Sequence, residues 1–203
     1  MGLILSGTHS TGIKRMQSQY RIDQRALSRS RRPYNRVYPR SAIWKRIRKL
    51  RALPGLEVDS ISGRGYRLRR PLDLLEREAI VEGLTPVAQA VLADCRVHGS
   101  IESTNLQAMQ YPPPLGKGKA WFAEHQTAGR GRRGRQWVSP FGRNLYFSLG
   151  WQFDAPLARV AGLSIATGAV LASLLHEKGV RDHGLKWPND VLWQQRKLAG
   201  ILL

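Results

Sequence analysis

Between Gly129 and Arg135 the chain places three glycines and four arginines in seven consecutive positions, Gly129-Arg130-Gly131-Arg132-Arg133-Gly134-Arg135. Arginine presents a planar fork of N–H donors that matches carboxylate and phosphate oxygens. Glycine lets the backbone approach a bulky anion and take positive φ without steric cost. Together they make an anion cradle. A solvated basic turn would carry the arginines but has no use for glycines at this spacing. Gly129-x-Gly131-x-x-Gly134 also satisfies a dinucleotide fingerprint, with Asp154 about twenty residues further on. That fingerprint needs a helix to open at the glycines. Here Gln136-Trp137-Val138 reads as a strand, Ser139-Pro140-Phe141-Gly142 as a turn and residues 144–151 as an aromatic-rich strand, so the nicotinamide-cofactor reading fails on context.

The elements that must position this loop follow from the flanking sequence. Residues 120–124 form the strand that enters it. Upstream, residues 73–92 give one or two short helices and residues 95–98 a short strand. Glu102-Ser103-Thr104-Asn105 then leads into a helix at 106–110, where Ser, Thr and Asn are ordinary N-cap residues. Residues 111–119 are a surface loop. Residues 157–178 are the clearest helix, apolar enough to be buried and closed by Gly179. Leu185-Lys186-Trp187-Pro188-Asn189-Asp190 opens a strand. Val191-Leu192-Trp193, a 194–196 turn and residues 197–203 then make a hairpin. The last apolar strand has no partner beyond it, which predicts an unfinished sheet with an aggregation-prone edge at Leu203.

Charge divides the chain. Residues 1–70 hold 18 Lys/Arg against 3 Asp/Glu, a formal +15 of the total +19, while residues 71–203 hold 15 against 11. The high pI therefore belongs to the N-terminal third, and a basic compact module there points to nucleic acid. Ser41 is placed to cap a helix over 42–53, with Ile43, Ile47 and Leu50 on one stripe. After Pro54-Gly55 come two short strands about Ser62-Gly63-Arg64-Gly65. This is the order of the second half of a winged helix-turn-helix. Lys45, Arg46, Arg48 and Lys49 on the helix and Arg64 on the wing would neutralise phosphates; the competing reading is a solvated basic face.

Residues 1–40 read as an irregular basic segment. They match a myristoylation pattern at Met1-Gly2-x-x-x-Ser6, share the acid-poor composition of a transit peptide, and could equally be a non-native start. The Arg69-Arg70-Pro71-Leu72 linker separates the 41–70 module from residues 71–203. The one cysteine, Cys95, allows no internal disulfide and forms no metal cluster with the scattered histidines, which fits a reducing, cytoplasmic setting. No apolar run approaches the roughly 18–20 residues of a membrane span.

Four segments in order, Glu102-Ser103-Thr104-Asn105, residues 124–137, Lys186-Trp187-Pro188-Asn189-Asp190 and Arg196-Lys197-Leu198-Ala199-Gly200, resemble biotin–protein ligases. With a winged helix in front, the chain is similar to their bifunctional bacterial form, which is also the biotin operon repressor. The resemblance covers residues 41–203. It implies an α+β fold, in which a partial winged helix-turn-helix precedes a class II synthetase-like mixed-sheet catalytic domain, truncated at the C-terminus.

The reaction it implies is ATP-dependent, with Mg²⁺. Biotin's carboxylate attacks the α-phosphate to give biotinyl-5′-AMP and pyrophosphate. A lysine of the biotin carboxyl-carrier protein then takes the biotinyl group. The resemblance assigns Ser103, Thr104, Asn105, Gln126, Arg130, Gly131, Arg132 and Lys197 to biotin, with Arg132 and Lys197 at the reacting centre. It assigns Arg133, Arg135, Trp137, Asn189 and Asp190 to the nucleotide, with metal or interface open for Asp190. For Trp137 and Trp187, core packing competes. Operator DNA and a homodimer of the full-length form are the further implied partners.

Two departures stand out: residues 1–40 do not resemble the helices that precede the recognition helix, and the family continues with further sheet and a small SH3-like barrel that complete the nucleotide site and dimer interface. The alternatives are a DNA-binding regulator that senses biotinyl-AMP without ligase activity, and an acyl ligase for lipoate.

Overall fold

The computed structural model describes residues 2–6, 40–154 and 162–203. The readings made for residues 7–39, and for the part of the long helix before 162, lie outside them. The described chain begins with strand β1 (Gly2–Ser6), so an irregular segment over all of 1–40 is corrected. Helix α1 (Arg40–Arg51) starts before Ser41, which therefore sits within the helix rather than capping it. Its last turn carries Arg48, Lys49 and Arg51, where cations suit the helix dipole. Its apolar stripe is only partly covered, since Ile47 is half-buried while Ile43 and Leu50 are exposed.

Strands β2 (Val58–Ile61) and β3 (Gly65–Leu68) form the expected hairpin, with Gly63 and Gly65 at φ +68 and +100 in its turn. Arg51 ties the helix to the hairpin through Val58 O at 3.1 Å and Ser60 Oγ at 2.7 Å. Arg69 clamps Glu57 at 2.8 Å and Asp59 at 2.9 Å, so it belongs to the hairpin rather than to a linker. Its hydrogen bond holds the Asp59 carboxyl below the usual value.

Short helices α2 (Arg77–Glu82) and α3 (Pro86–Val91) lead to strand β4 (Leu92–His98), helix α4 (Thr104–Gln110), strand β5 (Gly118–Ala123) and strand β6 (Asn144–Trp151). Helix α5 (Leu163–Glu177) is followed by β7 (His183–Lys186), β8 (Asp190–Trp193) and β9 (Arg196–Leu202). The sheet runs β4-β5-β6-β1-β9-β8-β7. Among the described strands only β4 and β5 pair in parallel, so the sheet is mixed. The expectation that β9 lacks a further partner is corrected, because β9 pairs with β8 on one side and β1 on the other.

Alternation along β5 and β6 sorts the two faces. Trp121, Ala123, Tyr146, Ser148 and Gly150 face helix α4 and the functional loops. Phe122 and Phe147 stack at 4.6 Å on the other face, where Phe147 joins Leu171, Val191, Ala199 and Ile201 under α5. Helix α5 is not buried all round, as its composition implied. Gly168 and Leu171 are its buried residues, while Ile165 and Val170 stay more than half exposed. One stripe meets the sheet and nothing among the described residues covers the rest.

The helix–hairpin module docks on the chain just beyond the arginine loop. Phe141 N donates to Pro54 O at 2.7 Å, and the Arg143 guanidinium donates to Gly55 O at 3.2 and 3.3 Å. Leu75 N donates to the buried carboxylate of Glu124 at 2.6 Å, and Gly142 N to Glu124 O at 3.0 Å. Burial pushes the Glu124 carboxyl above its ordinary value, against the pull of the Leu75 hydrogen bond. A raised folded-state pKa contributes stability below the unfolded pKa of about 4.3 and loses it as pH rises through the folded value. Glu124→Gln keeps the acceptor and removes the titration. Its melting temperature should exceed that of the wild type at pH 8, with the gap closing towards pH 4. Thermal melts across that range check this, and a gap independent of pH would refute it.

Candidate functional site

The loop between β5 and β6 is closed at a neck. Trp137 N donates to Gly129 O at 2.8 Å, and above it Gly131 N donates to Arg135 O at 2.7 Å. Gln136 bridges Arg130, and residues 132–134 make one 3₁₀ turn. Residues 136–138 are thus the return limb of the loop and not the strand that their β-prone side chains suggest. Gly129 has no room for a side chain, because a Cβ there would stand 2.8 Å from Trp137 O and 2.9 Å from Ser139 Oγ. At the tip Arg133 takes φ +57 and Gly134 φ +72. A non-glycine residue held in the left-handed region marks a conformation that the surroundings impose.

Beneath the neck lies a buried neutral network. Ser103 starts α4 as its N-cap, accepting from Leu106 N at 3.5 Å, and is 1% exposed. Gln126 Oε1 accepts from Thr104 N at 2.9 Å and from Thr104 Oγ1 at 3.2 Å. Gln126 Nε2 donates to Ser139 Oγ at 3.4 Å, and Ser148 Oγ donates to Thr104 Oγ1 at 2.9 Å. The amide is thereby oriented: its oxygen is occupied by two donors and its second N–H remains to be offered. Buried polar groups are retained at low cost only when paired in this way. Tyr146 OH donates to Pro140 O at 3.1 Å and anchors the turn that carries Ser139; burial pushes this phenol up to about 12, so it stays protonated.

Above the network opens a cleft of ≈ 390 Å³ lined by Gly131, Arg132, Arg133, Arg135, Trp137, Asn189, Asp190 and Lys197 among others. Arg132 Nη1 donates to Asn189 Oδ1 at 2.9 Å. Lys197 Nζ lies 2.7 Å from Asp190 Oδ1 and 5.1 Å from the centre of the Trp137 ring. Trp137 packs half-buried against Ala123 and Tyr146, so it floors the cleft and roofs the network at once. Among the described residues that line it, four cations stand against one carboxylate, a charge balance suited to an anion.

The predicted residues therefore fall into two adjoining groups, Ser103–Thr104–Gln126 and the cleft. Arg130 and Asn105 line neither: Arg130 pairs through its backbone with Gln136, and Asn105 lies half-buried on α4. Trp187 is 80% exposed beside a cis Pro188, so core packing is excluded for it. Lys45, Arg46, Arg48, Lys49 and Arg64 are all exposed on the helix–hairpin module, with Arg48 over the Trp44 ring at 5.1 Å.

Ser139 and Ser148 escaped the sequence reading as site residues. A small polar residue in the aromatic run of β6 was the available signal for Ser148. For Ser139, read as a turn residue, there was none. Cys95 is buried, its thiol pushed up by desolvation, and it takes no part. Among the described residues no three His, Cys, Asp or Glu side chains could hold a metal, and the cleft's one carboxylate is engaged by Lys197.

The bifunctional ligase/repressor BirA of Escherichia coli K12 is 43% identical over 164 residues, 81% of this chain and 49% of that protein. Its Bacillus subtilis counterpart is 34% identical, over 80% of this chain and 50% of that protein. A solved biotin protein ligase from Aquifex aeolicus in complex with biotin and ATP is 33% identical, covering 54% of this chain and 46% of that one, with a TM-score of 0.40. The chain spans about half the length of the curated relatives it matches. The biotin/lipoate A/B protein ligase family matches residues 100–203, and the chain belongs to that family.

Proposed function

We propose that this chain carries the biotin- and adenylate-binding half of an ATP-dependent biotin–protein ligase, with a DNA-binding helix–wing module in front. The observation that carries the reading is the join at Trp137 between a buried neutral network and a cationic cleft. Biotin has the same two-part chemistry, an uncharged ureido head and a carboxylate tail. Ser103, Thr104 and Gln126 offer paired hydroxyl and amide groups to the head, and Arg132 and Lys197 meet the carboxylate. Lipoate has no ureido group to use that network, so the network favours biotin.

In the reaction, a carboxylate oxygen forms a bond to the α-phosphorus of ATP as pyrophosphate leaves. The ε-amine of a carrier-protein lysine then attacks the acyl carbon and AMP leaves. No enzyme nucleophile is required; Arg132, Arg133, Arg135 and Lys197 bring two anions together and stabilise the charge between them. Gly131 continues the same loop beside the carboxylate, and Asn189 faces the nucleotide. Mg²⁺ would accompany the triphosphate, with Asp190 as the cleft carboxylate that could face it. Operator DNA would meet Lys45, Arg46, Arg48, Lys49 and Arg64, and a homodimer belongs to the longer form. No described helix is long and apolar enough to cross a membrane, and a cytoplasmic setting is proposed on the likeness to bacterial ligase/repressors.

Biotin-dependent exchange of pyrophosphate into ATP, absent with lipoate, tests the reading. Operator binding without exchange would favour a regulator that senses the adenylate. No rise in melting temperature with biotin or biotinyl-5′-AMP would overturn the site. Arg132→Ala removes a charge-assisted hydrogen-bond donor, worth about 1.5–3 kcal/mol, and should speed adenylate release roughly 10–100-fold. Lys49→Ala should leave release unchanged and lower the salt slope of DNA binding by about 0.9. Equal effects of the two on release would sink the loop assignment. Gly129→Ala overpacks the neck, at a cost of about 1–3 kcal/mol; it should lower the melting temperature and adenylate retention together, and unchanged retention would show the neck to be dispensable.

A further inference from the structure

The turn between β7 and β8, Trp187-Pro188-Asn189, hangs from two anchors. One is β9, where Asn189 Nδ2 donates to Ile201 O at 2.9 Å and Asn189 O accepts from Ile201 N at 2.8 Å. The other is helix α5, whose Ser164 Oγ donates to Pro188 O at 3.0 Å. Proline has no N–H, so this carbonyl is the one backbone polar group by which residue 188 can be held. The helix stripe places Ser164 for the task. Ser164, Gly168 and Leu171 follow at i, i+4 and i+7 and share the face that α5 turns to the sheet. A Cβ on Gly168 would stand 3.4 Å from Leu185 Cδ2 and 3.6 Å from Ile201 Cδ1, so the helix runs close over β7 and β9. Its N-cap, Gly162, has no side-chain cap, yet the Ser164 hydroxyl proton goes to another element. Packing does not fill the junction. A cavity of ≈ 120 Å³ lies there, lined by Ser164, Gly168, Leu185, Pro188, Asn189 and Ile201 among others, and the hydrogen bond spans it.

We infer that Ser164 is a positioning residue for the nucleotide end of the cleft. It sets the 187–189 turn and, through that turn, Asn189 and Asp190. Both residues line the cleft as well as the cavity behind it, so a shift of the turn moves the cleft wall directly. The role given to that end of the cleft rests on the ligase reading; the tether from α5 does not. The neutral network of Ser103, Thr104 and Gln126 lies with α4 on the opposite face of the sheet from α5. Loss of the Ser164 hydroxyl therefore separates the two ligands, weakening the nucleotide and sparing biotin.

Calorimetric titration of the full chain with ATP and with biotin tests this. In Ser164→Ala the Kd for ATP should rise roughly 2–10-fold, the ordinary worth of one neutral hydrogen bond, while the Kd for biotin stays within about twofold of the wild type. Ser164→Thr keeps the hydroxyl and should restore ATP binding. Unchanged ATP binding in Ser164→Ala overturns the inference. Equal losses of ATP and biotin binding also overturn it and reduce Ser164 to a structural role. Hydrogen exchange at the Ile201 amide, which is bonded to Asn189 O, reads the tether without any ligand. It should quicken several-fold in Ser164→Ala and return to the wild-type rate in Ser164→Thr. If wild-type protein binds neither ATP nor biotin, the ligase reading fails while exchange still decides the tether: a faster Ile201 amide in Ser164→Ala upholds it, and the wild-type rate overturns it.

Discussion

The main-chain hydrogen bond between Trp137 N and Gly129 O, 2.8 Å long, is the constraint on which the site depends. It closes a long excursion from β5 to β6 into a loop with a defined neck. Closure fixes Gly129 against Ser139, and Ser139 then reaches both Trp137 O and the Gln126 amide. It also lays the Trp137 ring across Ala123 and Tyr146, which gives Lys197 its floor. Any side chain at residue 129 would have to force these atoms apart. The glycine is thus demanded by proximity and not by φ, whereas Gly134 at φ +72 is demanded by conformation.

The site separates two kinds of polarity because they carry different desolvation costs. Ser103, Thr104, Gln126 and Ser148 are nearly inaccessible and all neutral, and each has a hydrogen bond to satisfy it. Arg132, Arg133, Arg135 and Lys197 remain in an exposed cleft, where solvent moderates their mutual repulsion. Moving those cations down to the level of Gln126 would incur several kcal/mol per ion without guaranteed partners. The neutral network can read shape and hydrogen bonding, while the cleft supplies charge. Trp137 marks the boundary, with an apolar face for one side and a π-face for the cation on the other.

Features set by local chemistry were legible in the sequence, and those set by register or long-range pairing were not. The strand from Asn144 to Trp151 was plain from its aromatic-rich run, and within it Tyr146, Ser148 and Gly150 are buried in turn. Ser103 announced a helix start, and the arginine–glycine run announced an anion loop. Gln136-Trp137-Val138 misled because β-prone side chains imply a strand, whereas the Trp137 amide is spent on Gly129 within the loop. The apolar composition of α5 implied burial on all sides, but a helix lying on one sheet face covers one stripe. Gly2–Ser6 gave no hint of its pairing with β6 and β9, because neighbours in a sheet are chosen by partners far along the chain. Ser148 matters through where its hydroxyl points, which the register of β5 against β6 decides, and Ser139 through the neck that brings it to the Gln126 amide.

The turn from Ser139 to Arg143 is where the two parts of the molecule meet. On its inner side Ser139 touches the Gln126 amide and Pro140 O accepts from Tyr146. On its outer side Phe141 N and the Arg143 guanidinium hold the carbonyls of Pro54 and Gly55, next to the hairpin of the basic module. The packing is tight, since a Cβ on Gly55 would stand 2.7 Å from Pro140 Cβ and one on Gly142 3.1 Å from Leu72 Cδ2. Tightly packed contacts do not deform continuously. A displacement of the arginine loop that pulls on Ser139 must therefore either be absorbed within these five residues or be passed to Pro54 and Gly55. Glu124, bonded to Leu75 N by its side chain and to Gly142 N by its carbonyl, ties the same turn to the segment joining the module to the sheet. The arginine loop and the module that carries the basic surface thus share one support.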